Sequence, residues 1–318
     1  MSIETLIRLA GGREMPSAEG MERARQAAAE SWRRGLAQAP PRAWRPRLRV
    51  WLACAAAVVA VLTFHLVRRE MPGRTVIVAH VSALEGAASL ADAKAVRAAS
   101  PDSPVRAGDT LSAQGRVAAT IMGGLSLRLD RGARVTFAAA DRVTLRAGTL
   151  YVDSGGLNAG PPLTIVTPAG EVTHMGTQFL VSVNAGSTHV RVREGRVQFK
   201  ANGGAVSAIT AGDELDIRAG RSTLRHGVPA FGPAWDWQAD VAPVLAVEGR
   251  PLAEFLAWLV RERGWQLRYA DAALQQRAHE IRLHGSLAGL DTPQMLQRVS
   301  LVTGLALEAR DGVLSVGP

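Results

Sequence analysis

Cysteine occurs once in the 318 residues, as Cys54, so no intramolecular disulfide can form and every folded part must be held by packing alone. Catalytic signatures are missing as well: there is no G-x-S-x-G, no H-E-x-x-H, no C-x-x-C and no G-x-x-x-x-G-K. The seven histidines are scattered, so a metal site would need convergence over long stretches of chain. His174, His189, His279 and His284 therefore read as exposed or satisfied structural residues. The pairs Asp213/Asp216 and Asp236/Asp240 sit beside turn residues and read as a solvated face. These absences argue against an enzyme and against any metal or cofactor. Long basic runs interleaved with aromatics are lacking too. The net charge of +9 arises largely before residue 50, where ten Arg face five Glu, while the chain from Met71 onward mixes both signs. No nucleic-acid partner is expected.

One long uncharged run is present. Val50 to Val67, VWLACAAAVVAVLTFHLV, would span about 27 Å as a helix, close to the hydrocarbon thickness of a bilayer. Arg33, Arg34, Arg42, Arg45, Arg47 and Arg49 precede it and Arg68, Arg69 and Arg74 follow. Cations of short loops stay on the cytoplasmic side, so residues 50–67 are expected to cross a membrane once, N-terminus inside. Some fifty residues before the run are too many for the n-region of a signal peptide.

Residues 1–49 form a cytoplasmic tail. Ile3, Leu6, Ile7 and Ala10 suggest a short first helix ended by Gly11 and Gly12. Pro16 and Ser17 open a second, in which Met21, Ala24, Ala28 and Trp32 make one apolar stripe. Helices so short and alanine-rich need a partner surface, and this stripe is the expected docking face for a cytoplasmic protein. Pro40, Pro41 and Pro46 then break the chain into a linker.

Residues 71–220 read as an all-β domain, either sandwich-like, barrel-like or solenoid-like, from alternating segments such as LSLRLD (125–130), TLYVD (149–153), QFLVSV (178–183) and HVRVRE (189–194). Asp130-Arg131-Gly132, Glu194-Gly195-Arg196 and Ala201-Asn202-Gly203 supply the turns, and Leu84 to Ala99 reads as a loop or one helical excursion. Residues 221–244 form a Pro- and Gly-containing linker whose Trp235 and Trp237 should pack on a neighbour. Residues 245–318 read as a small α+β domain: strand, helix (Pro251 to Arg263), strand (Trp265 to Tyr269), strand (Glu280 to His284), helix (Pro293 to Thr303) and a hairpin turning at Asp311-Gly312. It is duplicated, because Phe255, Leu256 and Leu259 stand before Gly264 at the offsets that Met295, Leu296 and Val299 take before Gly304. Val313 to Val316 is expected at a sheet edge, where Leu314 would mark a site for strand addition.

TPAGEVTHMGTQF (167–179) resembles the signature of the FecR family of transmembrane sensors and anti-sigma regulators. Thr167, Pro168, Gly170, Gly176, Thr177 and Phe179 carry that likeness; LRLDRGARVTF and RAGTLYVD resemble the family's strands upstream, and HVRVREGRVQF with Glu194 and Gly195, then AGDEL with Gly212, follow in the family's order. The C-terminal duplication resembles the short secretin and TonB N-terminal (STN) domain. The resemblance implies a bacterial inner-membrane signalling protein with a periplasmic C-terminus. Its partners would be the signalling domain of a TonB-dependent receptor outside and an extracytoplasmic-function sigma factor inside. The tail departs from the family in holding only Trp32 and Trp44. The competing reading is an envelope assembly protein that binds a secretin, a glycan or a secreted protein.

Overall fold

The structure, a computed structural model, describes residues 17–37, 76–155 and 162–318. They divide into a unit ending at Pro72 and another beginning at Gly73. In the first, helix α1 spans Ala18–Ala37. The Ser17 carbonyl accepts from the amides of Gly20 and Met21, and the Ser17 hydroxyl adds a third contact to Gly20, so the helix opens at Ser17 as expected, while Pro16 lies outside the described residues. The helix expected at Ile3 to Ala10 and the run 50–67 lie outside the described residues. Among the described residues no helix is long and apolar enough to cross a membrane.

The second unit opens with fifteen strands in one sheet: β1 (Ile77–Glu85), β2 (Ala88–Ala91), β3 (Val96–Ala98), β4 (Pro104–Arg106), β5 (Thr110–Ala113), β6 (Arg116–Ile121), β7 (Ser126–Leu129), β8 (Arg134–Ala139), β9 (Arg142–Asp153), β10 (Thr164–Thr167), β11 (Gly170–Asn184), β12 (Ser187–Ala201), β13 (Val206–Thr210), β14 (Glu214–Arg218) and β15 (Arg221–Arg225). The segment Leu84 to Ala99 thus corrects the expectation of a loop or helix. Ala88 and Leu90 point into the core while Ser89 and Ala91 are half-exposed, a two-residue period that alanine content had masked. Within this sheet all pairings are antiparallel except β9 with β10.

The three long strands change partners midway. β11 pairs β10 with its first half and β9 with its second, and β12 pairs β14 and then β13. The sheet can therefore enclose its own core, built from Phe137, Phe179, Phe199 and the aliphatic residues around them. β15 continues the sheet past residue 220, into the stretch read as linker.

The rest of that stretch holds a one-turn helix, α2 (Pro233–Asp236), and a 3₁₀ turn, Trp237–Val241. The C-terminal part then packs helices α3 (Leu252–Arg263), α4 (Ala272–Glu280) and α5 (Thr292–Thr303) on a three-stranded sheet of β16 (Gln266–Tyr269), β17 (Ala306–Arg310) and β18 (Val313–Gly317). The duplication is real in space: α3 and α5 end at Gly264 and Gly304, each left-handed with φ 68°. Residues 245–249 form no strand, and α4 occupies ground read as connection. Its cap is Asp271, which accepts from the Leu274 amide at 2.8 Å. Of the strand expected at Glu280 to His284 only one bridge, Arg282 to Pro251, is made. Val313 to Val316 is central rather than an edge: β18 runs parallel to β16 on one side and antiparallel to β17 on the other, and Leu314 is fully buried. Leu314 offers no free backbone to a partner.

Candidate functional site

The α1 stripe has the expected geometry. Met21, Ala24, Ala28 and Trp32 follow one helical face, and all four are exposed, with Trp32 at 76%. An indole left that open is an apolar surface in want of cover.

The family-like residues form a different kind of site. Thr167 closes the β10–β11 turn, its hydroxyl donating to the Gly170 carbonyl at 2.8 Å and accepting from the Gly170 amide, while the Pro168 carbonyl accepts from Asn202 Nδ2. Gly176 and Gly195 meet where β11 and β12 slip register between Met175 and Phe179. A Cβ on Gly195 would stand 2.3 Å from the Gly176 carbonyl oxygen and 2.7 Å from Thr177 Cγ2. Glu194-Gly195-Arg196 is thus a bulge inside a continuous strand and corrects the expectation of a turn. Phe179 points inward, fully buried, and Gly212 with φ 83° turns β13 into β14. Asp213 secures that turn, accepting from the Thr210 amide and hydroxyl and meeting the His226 ring. Those bonds, with the Thr210 hydroxyl foremost, hold its carboxyl below the ordinary range. Asp213 is buried, so the solvated-face reading fails for it.

Just past the register slip, the sheet's outer face is covered by the C-terminal part. Arg128, Tyr151, Leu180 and Arg191 lie in one cross-strand row over β7, β9, β11 and β12. Trp235 and Trp237 close over this row to make a small second core with Tyr151 and Leu180. The Trp235 indole donates to the Pro229 carbonyl, meets Tyr151 edge-on and takes the Arg193 guanidinium over its ring at 4.3 Å. Both indoles do pack on a neighbour.

Arg128, 1% exposed, forks onto Glu262 of α3 at 2.6 and 3.0 Å and also reaches Gln238. Burial opposes its charge, yet the Glu262 carboxylate leads the interactions that carry its pKa above the ordinary value. Arg193 donates to the Ala230 and Glu262 carbonyls, and Gln238 Nε2 donates to the latter too. At the rim Arg261 binds Asp153 at 2.5 Å and Glu194, and Asp153 accepts from Gln178. Two residues of the family-like stretch, Gln178 and Glu194, thereby touch the joint between the β-sheet and α3.

Sequence reasoning missed this joint. Arg128 alternates with Leu127 and Leu129, which marks a wet face, and nothing local announces a carboxylate 134 residues away. A signal was available in Leu150-Tyr151-Val152 and Phe179-Leu180-Val181, continuous apolar triplets that belong to strands covered on both faces.

His174 is buried against Phe179 with no hydrogen-bond partner at either ring nitrogen among the described residues, and burial lowers its pKa. That corrects the reading of a satisfied histidine. Its neutral form is favoured on folding, so its contribution is present above the unfolded pKa of about 6.5 and lost as pH falls below it. His174→Leu should stabilise the protein more at pH 5 than at pH 8; equal shifts in denaturation midpoint at both would refute it. His189, by contrast, meets Ser187 and Asp216, and His284 meets Glu248. No group of three or more ligating side chains suited to a metal ion occurs among the described residues.

A family profile described as FecR protein matches residues 109–198. No curated protein sequence matches the chain. Two crystal structures, at 1.65 and 2.50 Å, of a candidate anti-sigma factor from Parabacteroides distasonis are similar to it. The first has 14% identity and a TM-score of 0.35 over 65% of this chain and 97% of that one. The second has 15% identity and a TM-score of 0.33 over 64% and 93%.

Proposed function

We propose that this chain is a signal-transducing regulator of the bacterial inner membrane, crossing it once at residues 50–67. Its tail would control an extracytoplasmic-function sigma factor, and its β-sheet and STN-like part would receive the signalling domain of a TonB-dependent receptor in the periplasm. It acts by binding and carries out no catalysis. The observation that carries this reading is the FecR match over residues 109–198, which includes the strands that build the joint with α3. The exposed stripe of α1 adds a surface suited to a partner on the other side of the membrane.

Two measurements test it. Alkaline phosphatase joined after Pro318 should be active in the periplasm; a silent fusion, with a cytoplasm-dependent reporter active there instead, defeats the topology. The full-length protein should retain a sigma factor in pull-down, and Trp32→Ala should weaken that complex by about 2 kcal/mol or more, the scale for an indole at the centre of an interface. Unchanged retention would remove the α1 stripe from the mechanism.

A further inference from the structure

The described sheets contain six strands with a hydrogen-bonded neighbour on one side only: β3, β4, β13, β15, β16 and β17. Five carry the usual protection against strand addition, a charge or a proline: Arg97 in β3, Pro104 and Arg106 in β4, Arg221 and Arg225 in β15, Arg268 in β16, Glu308 and Arg310 in β17. β13, Val206-Ser207-Ala208-Ile209-Thr210, has neither. Its ladder with β12 shows which backbone groups are free. Ala201 donates to Ala205 and Ala211 donates to Gly195. By the alternation of an antiparallel pair, Ser207 and Ile209 then bond to β12, while Val206, Ala208 and Thr210 turn their amides and carbonyls outward. Thr210 is already satisfied, because Asp213 takes its amide through Oδ2 and donates to its carbonyl. Val206 and Ala208 remain.

Beside that edge the core opens. A cavity of about 540 Å³ has Val183, Phe199 and Ile217 in its lining and lies between Ala205 and Ser207 on one side and the Ala219–Ser222 turn on the other. Among the described residues no charged side chain lines it. On the opposite face of the same strands, Arg196 and Lys200 of β12 stand across from Thr210 and Val206, exposed and without an ion pair among the described residues.

We propose that β13 is a strand-addition site, distinct from α1 and from the joint with α3, for an extended protein segment that alternates apolar and acidic residues. The segment would bond the free groups of Val206 and Ala208, send its apolar side chains into the cavity and present its carboxylates to the Arg196/Lys200 face. The charge of that face selects such a partner over a neutral or basic one.

The test uses the full-length protein in mild detergent and a fluorescent hexapeptide of alternating Glu and Val, with a Lys/Val hexapeptide as control. Saturable anisotropy is expected for the Glu/Val peptide alone. Ala208→Pro removes a free edge donor and no ladder bond, so binding should weaken about tenfold or more with an unchanged melting curve. Should that variant fold poorly, Val206→Glu, at a site 55% exposed, places a like charge on the edge and should have the same effect. Absence of saturable binding, equal binding of the Lys/Val peptide, or undiminished binding by the folded variants overturns the proposal. So does self-association of the full-length protein through this edge that Ala208→Pro abolishes, since the occupant would then be a second copy of the chain. None of these outcomes depends on whether a sigma factor binds the tail.

Discussion

Arg128→Met should destabilise the unit from Gly73 onward by about 3–5 kcal/mol, the cost of stranding one member of a buried ion pair. Glu262 would lose its strongest partner under α3, and Gln238 would lose a donor. Removing both ends with apolar groups, in Arg128→Met with Glu262→Leu, should recover most of that loss, because a buried pair gains little over a well-packed apolar contact. Arg250→Ala serves as reference. Its pair with Glu254 is half-exposed and should contribute under about 0.5 kcal/mol. Chemical denaturation of the three variants decides the matter: if Arg128→Met costs no more than Arg250→Ala, the joint is not held by this pair.

Gly195→Val should cost about 3 kcal/mol or more. The position has φ 79°, which a β-branched residue resists, and the new Cβ would overlap the Gly176 carbonyl, a backbone group that cannot move without undoing the β11–β12 register. Gly203→Ala is the contrast, since a Cβ there meets nothing within 4 Å. Comparable melting temperatures for the two variants would show that the register slip tolerates a side chain.

Local signals were read well from sequence and non-local ones poorly, for physical reasons visible in particular residues. The helix stops at Gly264 and Gly304, the turn at Asp311-Gly312 and the inward Phe179 depend on neighbours within a few positions, where periodicity and turn chemistry act. Gly195 in Glu194-Gly195-Arg196 has the composition of a turn and sits in a bulge, because a positive φ serves a bulge as well as a reversal. Val313 to Val316 looked like an edge since it ends a hairpin. Its second neighbour is β16, reached only after α4 and α5, and such a parallel pairing leaves no mark in either strand. The α1 stripe was legible as one face of a helix, whereas Arg128, Arg193 and Glu262 became visible only when three distant segments met.

The arrangement of β16, β18 and β17 also sets a timetable. A ribosome releases β7, and with it Arg128, 134 residues before Glu262. The covering tryptophans follow only at 235 and 237, so Arg128 meets its counter-charge late. β16 and β17 then emerge with no strand to bond until residues 313–317 arrive between them. Assembly of this part is therefore gated by its last strand. Slow synthesis over residues 264–312 would prolong exposure of Leu267 and Leu307, the interval in which a holding chaperone has most to protect.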